Sequence, residues 1–199
     1  MPDWSRRRAL QAVAATGAVA LAGCSGSTSS SSSVPRERGD SVSDVTVQFA
    51  RHRDGQPFYR YGDDDSDQRA SRMMHLTSPD DRDRLTFRST DPAAELRSLV
   101  DGTDFESESV FLLVRPVGEC YELLLQGVYR EPDGVEADFC QTLVPADVEC
   151  SADDEDLVGV AIRLPFPGED FNSHGSSWSS TCDSPRYGTP IAREGGDDE

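Results

Sequence analysis

Lysine is absent from this 199-residue chain, and asparagine occurs only once, at Asn172. All 19 basic residues are therefore arginines, and 37 aspartates and glutamates bring the net charge to −18. A chain this acidic repels nucleic acids and anionic membrane surfaces. No cluster of arginines forms a basic patch that would offset the repulsion, so we expect no nucleic-acid partner.

The sequence also lacks the motifs that mark most cofactor, metal and catalytic sites. No glycine-rich phosphate loop and no C-x-x-C pair occurs, and no G-x-S-x-G motif surrounds the serines beside His174. The three histidines lie at no helical or strand spacing that would place two on one metal; they are His52, His75 and His174. We therefore expect no cofactor, no metal site and no catalytic residue, and we expect that the protein is not an enzyme.

Two acidic runs predict solvated loops rather than metal sites. Residues 63–67 begin like a calcium loop, but Gln68 stands where the turn glycine belongs and Met74 where the closing glutamate belongs. Residues 153–156 carry four consecutive acids without such a pattern.

The first 24 residues have the three parts of an export signal. Arg6, Arg7 and Arg8 form a cationic head, residues 9–22 are mostly Ala, Val and Gly, and residues 21–24 read Leu-Ala-Gly-Cys. The apolar part is shorter than the roughly 20 residues that a membrane-spanning helix needs. A cleaved signal is therefore favoured over a permanent membrane helix.

These residues resemble a known class of exported protein. Arg6 and Arg7 resemble the pair of a twin-arginine signal, and Leu-Ala-Gly-Cys resembles a lipobox, which ends at Cys24. With its acidic, lysine-free composition, the chain resembles a twin-arginine lipoprotein of salt-loving archaea. The resemblance implies that residues 1–23 are removed and that Cys24 carries a two-chain lipid, which gives stable attachment. The protein would then lie on the outer face of the cell membrane.

Composition divides the rest of the chain. Residues 24–44 are rich in serine and are predicted to be a disordered tether, because they cannot bury enough apolar surface. Residues 45–194 suit a single β-rich domain with one core, and residues 195–199 are predicted to be a disordered acidic tail. Loss of the signal removes three arginines and one aspartate, which leaves a net charge of −20.

Hydrophobic periodicity predicts a mainly β fold. Residues 45–49 alternate between apolar and polar, residues 110–114 form an apolar run typical of a strand covered on both faces, and residues 158–164 predict a half-buried strand. We expect an antiparallel meander, packed as a β-sandwich against the earlier strands, from residues 110–114, 119–129, 135–143 and 157–164. Four of its side chains should be buried: Leu123, Leu125, Val160 and Ile162. From Gly168 onward, we expect a surface wrap.

One short helix is expected before the meander. Asp91 is the predicted cap, Pro92 opens the first turn, and Gly102 stands where the helix should end.

Four cysteines remain after Cys24, and an even number in an exported chain favours two disulfides. A turn at residues 131–134 sets Arg130 opposite Val135, so Cys120 and Cys140 lie about 16 Å apart along the hairpin, too far for one bridge. Two pairings remain, and because Cys150 leaves the hairpin at the same end as Cys120, the favoured pairs are Cys120 with Cys150 and Cys140 with Cys182. Cys140 with Cys150 and Cys120 with Cys182 is the alternative.

A second resemblance covers about half of the mature chain. A short helix, Asp104-Phe105, an apolar strand, the hairpin opening Cys120-Tyr121-Glu122-Leu123 and a last strand follow in that order. The order is similar to the C-terminal β-domain of the PrcB protease-complex family. The chain departs from that family at residues 118–120, which read Gly-Glu-Cys instead of a paired glycine. The resemblance implies a shared architecture and no shared site.

Two functions remain open from the sequence. The first is a lipid-anchored binding or accessory domain that contacts a partner protein at the cell surface. The alternative is a small cell-surface hydrolase that uses His174 or an acidic pair. A histidine within hydrogen-bond reach of a hydroxyl or carboxylate in a cleft would favour the hydrolase.

Overall fold

The computed structural model describes residues 39–53, 55–62, 72–168, 171–182 and 187–188, all within one compact unit, Glu37–Glu199. The strands in these ranges are β1 (Asp40–Ser41), β2 (Thr46–His52), β3 (Tyr59–Tyr61), β4 (Arg72–Leu76), β5 (Leu85–Phe87), β6 (Ser109–Gly118), β7 (Tyr121–Glu131), β8 (Gly134–Leu143), β9 (Glu155–Leu164), β10 (Ser173–Ser179) and β11 (Tyr187–Gly188). The helices are α1 (Pro79–Asp83) and α2 (Asp91–Asp101). The predicted mainly β class is confirmed, although α1 adds a second helix to the one expected.

Two sheets pack against each other as a sandwich. The first has the order β1-β7-β8-β10, with β11 also paired to β7, and the second has the order β2-β9-β6-β4. Strands β3 and β5 form a separate pair. Neighbouring strands are antiparallel except for β10, which runs parallel to β8.

Side chains from both sheets fill the space between them. Leu123 and Leu125 of the first sheet and Val160 and Ile162 of the second are each at most 1% exposed, so their predicted burial is confirmed. Phe111, Phe139 and Phe166 lie in the same core. Burial of a large apolar side chain contributes about 1.5–3 kcal/mol, and this core therefore holds the sheets together.

The other face of the second sheet is covered by α2, which buries Leu96 and Val100 against Leu112 and Ala161. The apolar run 110–114 is buried on both faces, as predicted. Strand β9 was predicted to be half-buried, and this was wrong. Helix α2 packs so closely on the second face of β9 that this face is buried as well. At Gly159 there is no room for a side chain, since a Cβ would lie 2.6 Å from Cδ1 of Leu96.

The N-terminus of α2 differs from the prediction by one residue. Thr90 is the cap, with an extended backbone at φ −122° and ψ 151°, and the predicted cap Asp91 already lies in the first turn. Gly102 ends the helix as expected.

The four apolar segments do not form one meander, so that part of the prediction was wrong. Strand β6 pairs with β9 along its whole length, whereas β7 and β8 form a hairpin in the first sheet. Pro116 lies within β6 and does not interrupt it. The described pairing of β6 with β4 ends at Val114, so at Pro116 the strand pairs with β9 alone. Proline is tolerated where a strand has a neighbour on one side only.

The predicted turn between β7 and β8 is correct, because Arg130 lies opposite Val135. A bulge at Gln126 then shifts the register by one residue, so Cys140 pairs with Leu124, whereas an unbroken register from the turn would place it opposite Leu125. Such a bulge adds an unpaired residue to one strand and leaves no signal in the alternating pattern.

The N-terminal boundary of the domain departs from the expected one, and the segment after Gly168 contains a strand that was not expected. Strand β1 lies inside the predicted tether 24–44 and pairs with Tyr129 and Arg130. Strand β10 begins where a surface wrap was expected; after it, the carbonyl of Thr181 accepts a hydrogen bond from Gln126 Nε2 at 3.1 Å. The tail 195–199 lies outside the described residues. No helix within the described ranges has the length and hydrophobicity needed to cross a bilayer.

Candidate functional site

Two histidines converge at one side of the sandwich, where β4 ends the second sheet and β10 flanks the first. His75 pairs with Phe111 in the β4–β6 register, and Phe111 faces the core between the sheets. His174 pairs with Val135 in the β8–β10 register, and Val135 faces the same core. Since paired residues share a face of a sheet, both histidines lie on the core-facing side of their sheets, His75 partly buried and His174 exposed at the edge. We call this region, with Ser109 and Phe171, the histidine edge.

His75 is held by a chain of hydrogen bonds. Its Nε2 lies 3.0 Å from Oγ of Ser109, and that hydroxyl donates its proton to the carbonyl of Phe166 at 2.9 Å. A serine hydroxyl has one proton, so His75 must donate through Nε2–H and is the Nε2-protonated tautomer. Its Nδ1 therefore carries no proton.

Burial keeps this imidazole neutral. It lowers the pKa of His75 from 6.5 to about 4, and the nearby His174 lowers it in the same direction while Asp81 opposes the shift. The charged form is disfavoured because it would lose hydration in a largely apolar setting.

An aromatic ring lies against each histidine of the edge. The ring of Phe171 stacks on His75 with centroids 5.9 Å apart, and Phe111 meets His174 edge-on at 6.5 Å. The guanidinium of Arg130, from β7 of the first sheet, lies over Phe171 at 5.3 Å from the ring centroid.

Further along β10, Trp178 lies between two other side chains. It stacks on the buried Phe139 at 4.9 Å, and the guanidinium of Arg115 lies 3.6 Å from its ring centroid. Although Trp178 is 41% exposed, both ring faces are occupied. It closes the core rather than offering a free stacking platform.

A different polar group lies where the chain crosses from one sheet to the other. We define the crossover as residues 119–120, which lead from β6 to β7, together with the return segment 144–154. Asp156 beside it is 5% exposed and pairs with Arg51 at 3.3 Å. Arg51 Nη2 also donates to the carbonyl of Tyr121 at 2.5 Å. Burial raises the pKa of the Asp156 carboxyl, and Arg51 opposes that shift.

Disulfides join Cys120 to Cys150 and Cys140 to Cys182, with Cα atoms 5.2 and 5.4 Å apart. These are the two pairs that the hairpin register favoured. The first closes the crossover, and the second ties the segment after β10 to the outer face of the first sheet. The Glu119 carboxylate adds to the crossover by accepting from the backbone N–H of Ser151 at 2.9 Å.

The structure unites some predicted residues and leaves others apart. Cys24, Arg6, Arg7 and the acidic run 63–67 lie outside the described residues. The acidic run 153–156 was expected to be solvated, and for Asp156 this was wrong. His52 packs edge-on against Phe58, away from the other two histidines.

Sequence spacing missed the approach of His75 to His174, because 98 intervening positions separate them. Residues 72–76 read Arg-Met-Met-His-Leu, which has no regular apolar–polar alternation, so little in the sequence indicated the strand that places Met73 and His75 on one face. No signal marked the role of Ser109 either.

The described residues contain no group of three or more His, Cys, Asp or Glu side chains arranged to hold a metal ion. A separate groove of about 620 Å³ lies between α1 and the end of α2, lined by residues that include Arg82, Asp101 and Asp104. Arg82 and Asp101 neutralise each other there through an ion pair at 2.5 Å.

The class of protein defined by this fold is a disulfide-linked β-sandwich with a helical layer on one face. A scan against protein-family models, and searches of curated proteins and of solved structures, gave no match for this chain.

Proposed function

We propose that this chain is an exported protein that Cys24 anchors, through a lipid, to the outer face of the cell membrane. Its sandwich serves there as a binding or accessory domain for a partner protein.

The pairing of the cysteines carries this proposal. The chain has five cysteines, and four of them are joined in two disulfides within the domain. Disulfides persist in oxidising compartments and are rare in the cytosol, which supports export. Cys24 is the one cysteine left over, and it follows Leu21-Ala22-Gly23 in the pattern of a lipobox.

The geometry at Ser109 argues against a serine nucleophile beside His75. A serine nucleophile is exposed to substrate and donates its proton to the histidine that activates it. Ser109 is fully buried and donates to the Phe166 carbonyl instead, so its contact with His75 is structural. The alternative of a cell-surface hydrolase gains nothing from this pair.

Replacement of Cys24 by Ser tests the anchor. The wild-type chain should partition into the membrane fraction and show an N-terminal fragment heavier by a lipid in mass spectrometry. Cys24→Ser should be released from the membrane, and Ser25→Ala, the matched control, should remain attached. Equal membrane retention of Cys24→Ser would contradict lipid attachment at this residue.

Export is tested at the arginine pair. Arg6→Lys with Arg7→Lys keeps the charge but removes the pair, so unprocessed precursor should accumulate inside the cell. Arg8→Lys, which leaves Arg6 and Arg7 in place, should be exported normally. Normal export of the double variant would point to a general secretory signal.

The binding role is tested by crosslinking in intact cells followed by peptide mapping. We expect crosslinks from one patch of residues 45–182 to one partner protein, and their loss when Cys24→Ser releases the domain. A chain without crosslinks, whose hydrolytic activity is abolished by His174→Gln, would support the hydrolase instead.

A further inference from the structure

The two disulfides occupy different places in the fold. Cys120 lies in the two-residue turn between β6 and β7, and Cys150 lies in the irregular segment between β8 and β9. Cys140, by contrast, lies inside β8, where it pairs with Leu124 of β7 on one side and with Ser179 of β10 on the other. The first bridge therefore links two connections, whereas the second is anchored in a central strand.

Access to the two bridges differs in the same sense. Cys150 is exposed and Cys120 is half-buried, and Cys150 lines a groove of about 430 Å³ together with residues 146–149. Cys140 is fully buried, and its partner Cys182 is half-buried. A thiolate must reach a sulfur atom before disulfide exchange takes place. An external thiol therefore meets the first bridge more readily than the second.

Cleavage of the first bridge has a defined consequence for the crossover. The N–H of Val144, at the start of the return segment, donates to the Cys120 carbonyl at 3.0 Å. At the end of the return segment, the Asp154 carbonyl accepts from the N–H of Glu119 at 2.9 Å. Between these hydrogen bonds, residues 145–150 are mostly exposed. Loss of the bridge therefore frees the exposed part of the return segment without breaking a strand of either sheet.

We propose that Cys120–Cys150 is a site of thiol–disulfide exchange, at which an external dithiol reversibly opens the crossover while Cys140–Cys182 stays intact. One thiolate of the dithiol attacks Sγ of Cys150 and forms a mixed disulfide; the bond to Cys120 breaks, and Cys120 leaves as a thiolate that takes up a proton. The second thiolate of the dithiol then attacks the mixed disulfide and releases Cys150. The dithiol is oxidised to a disulfide by two electrons, and the protein bridge is reduced to two thiols.

The test is reduction of the folded full chain, carrying Cys24→Ser and both disulfides, by dithiothreitol. Free thiols are labelled with iodoacetamide at successive times, the remaining bridges are then reduced and labelled with N-ethylmaleimide, and mass spectrometry gives the reduced fraction at each cysteine. Cys120 and Cys150 should be labelled about 10-fold faster than Cys140 and Cys182, because exchange rates follow access to the sulfur. Their rate should rise in proportion to the dithiothreitol concentration, since direct attack needs no prior unfolding.

Two comparisons separate access from the intrinsic reactivity of the cysteines. In concentrated urea, where the chain is unfolded, both bridges should be reduced at rates within about twofold of each other, because neither is then covered. The variant Cys140→Ala with Cys182→Ala keeps only the first bridge, which should be reduced in the folded chain at the rate seen in the parent. A near-ultraviolet circular dichroism spectrum checks the fold. If this variant does not fold, the comparison of the two bridges within the parent still decides the question.

Hydrogen exchange tests the consequence of reduction. After partial reduction, the amides of residues 145–150 should exchange faster, while those of β8 and β9 stay protected. Removal of dithiothreitol and addition of oxidised glutathione should restore both the bridge and the slower exchange.

Three results would overturn the site. These are equal rates of reduction for the two bridges in the folded chain, a rate that does not depend on the dithiothreitol concentration, and a loss of protection in both sheets when the first bridge is reduced. None of them bears on the lipid anchor, because the chain tested here lacks the Cys24 thiol.

Discussion

The crossover and the histidine edge are held together by different forces. The crossover combines a disulfide, Cys120–Cys150, with the ion pair of Arg51 and Asp156 at 3.3 Å. The histidine edge depends on neutral groups, in which Ser109 links His75 to the Phe166 carbonyl. The crossover is therefore fixed by a covalent bond and an ion pair, whereas the histidine edge is fixed by neutral hydrogen bonds.

Acid affects the two regions in opposite directions. The pKa of His75 is lowered in the folded state, so the unfolded chain binds a proton first, and stability falls as the pH drops from about 6.5 to about 4. Burial raises the pKa of Asp156, so the folded state binds that proton first. Ionisation of the Asp156 carboxyl therefore lowers the free energy of unfolding as the pH rises from 3.8 through the pKa of the folded state.

Removal of the crossover disulfide should have the largest effect. Cys120→Ala with Cys150→Ala opens a loop of 30 residues, and the chain-entropy model gives a loss of about 3.5 kcal/mol in unfolding free energy. Urea denaturation measures the change. Cys140→Ala with Cys182→Ala, with a separation of 42, is the matched variant and should lose a similar amount. A loss below about 1 kcal/mol at the crossover would show that its noncovalent contacts suffice.

Arg51→Met tests the ionic part of the crossover. It leaves the buried Asp156 carboxylate without the cation that opposes its desolvation, and we expect a loss of about 2–3 kcal/mol at pH 7, because an uncompensated buried charge is costly. Arg82→Met, at the more exposed pair with Asp101, is the control and should lose under about 1 kcal/mol. Equal losses would mean that burial adds nothing to the Arg51 pair.

His75→Gln tests the acid response of the histidine edge. The parent chain should gain about 2–3 kcal/mol of unfolding free energy as the pH rises from 4 to 6.5. His75→Gln should lose most of that gain, because it removes the group whose pKa falls on folding. Denaturation at half-unit pH steps measures the slope. An unchanged slope would assign the acid response to other groups.

Arg115→Met tests the smallest of these contacts. The methionine keeps much of the apolar volume but removes the cation that lies over Trp178, and we expect a loss of about 0.5–1 kcal/mol. Thermal unfolding followed by tryptophan fluorescence detects it. Arg97→Met, at an exposed pair with Asp101, should change stability by no more than about 0.5 kcal/mol; a larger change there than at Arg115 would contradict a stabilising stack.

Local pattern predicted several elements because their cause is local. The apolar–polar alternation of residues 45–49 located β2. Pro92 and Gly102 marked the two ends of α2, and residues 131–134 marked the hairpin turn. Burial on the second face of β9 could not be predicted, since it depends on α2 lying against Gly159. The bulge at Gln126 also escaped, because a bulge depends on how two strands fit together.

The cysteine pairs required both levels of information. Composition and the export signal favoured two disulfides, and the hairpin register excluded Cys120 with Cys140. The one-residue error from the bulge did not matter, because an offset of several residues along a strand still exceeds the reach of a disulfide.

The sequence by itself determined the acidic composition, the mainly β class, the hairpin turn and the cysteines available for pairing, because each follows from residue type or short-range spacing. Tertiary structure alone decided that β6 pairs with β9 rather than with β7, that Asp156 is buried beside Arg51, and that His75 meets His174. These arrangements depend on which sheet each strand joins. The sheet that a strand joins is decided by how well the whole chain buries the core between the sheets and the core beneath α2. The spacing of residues within one strand carries no information about that.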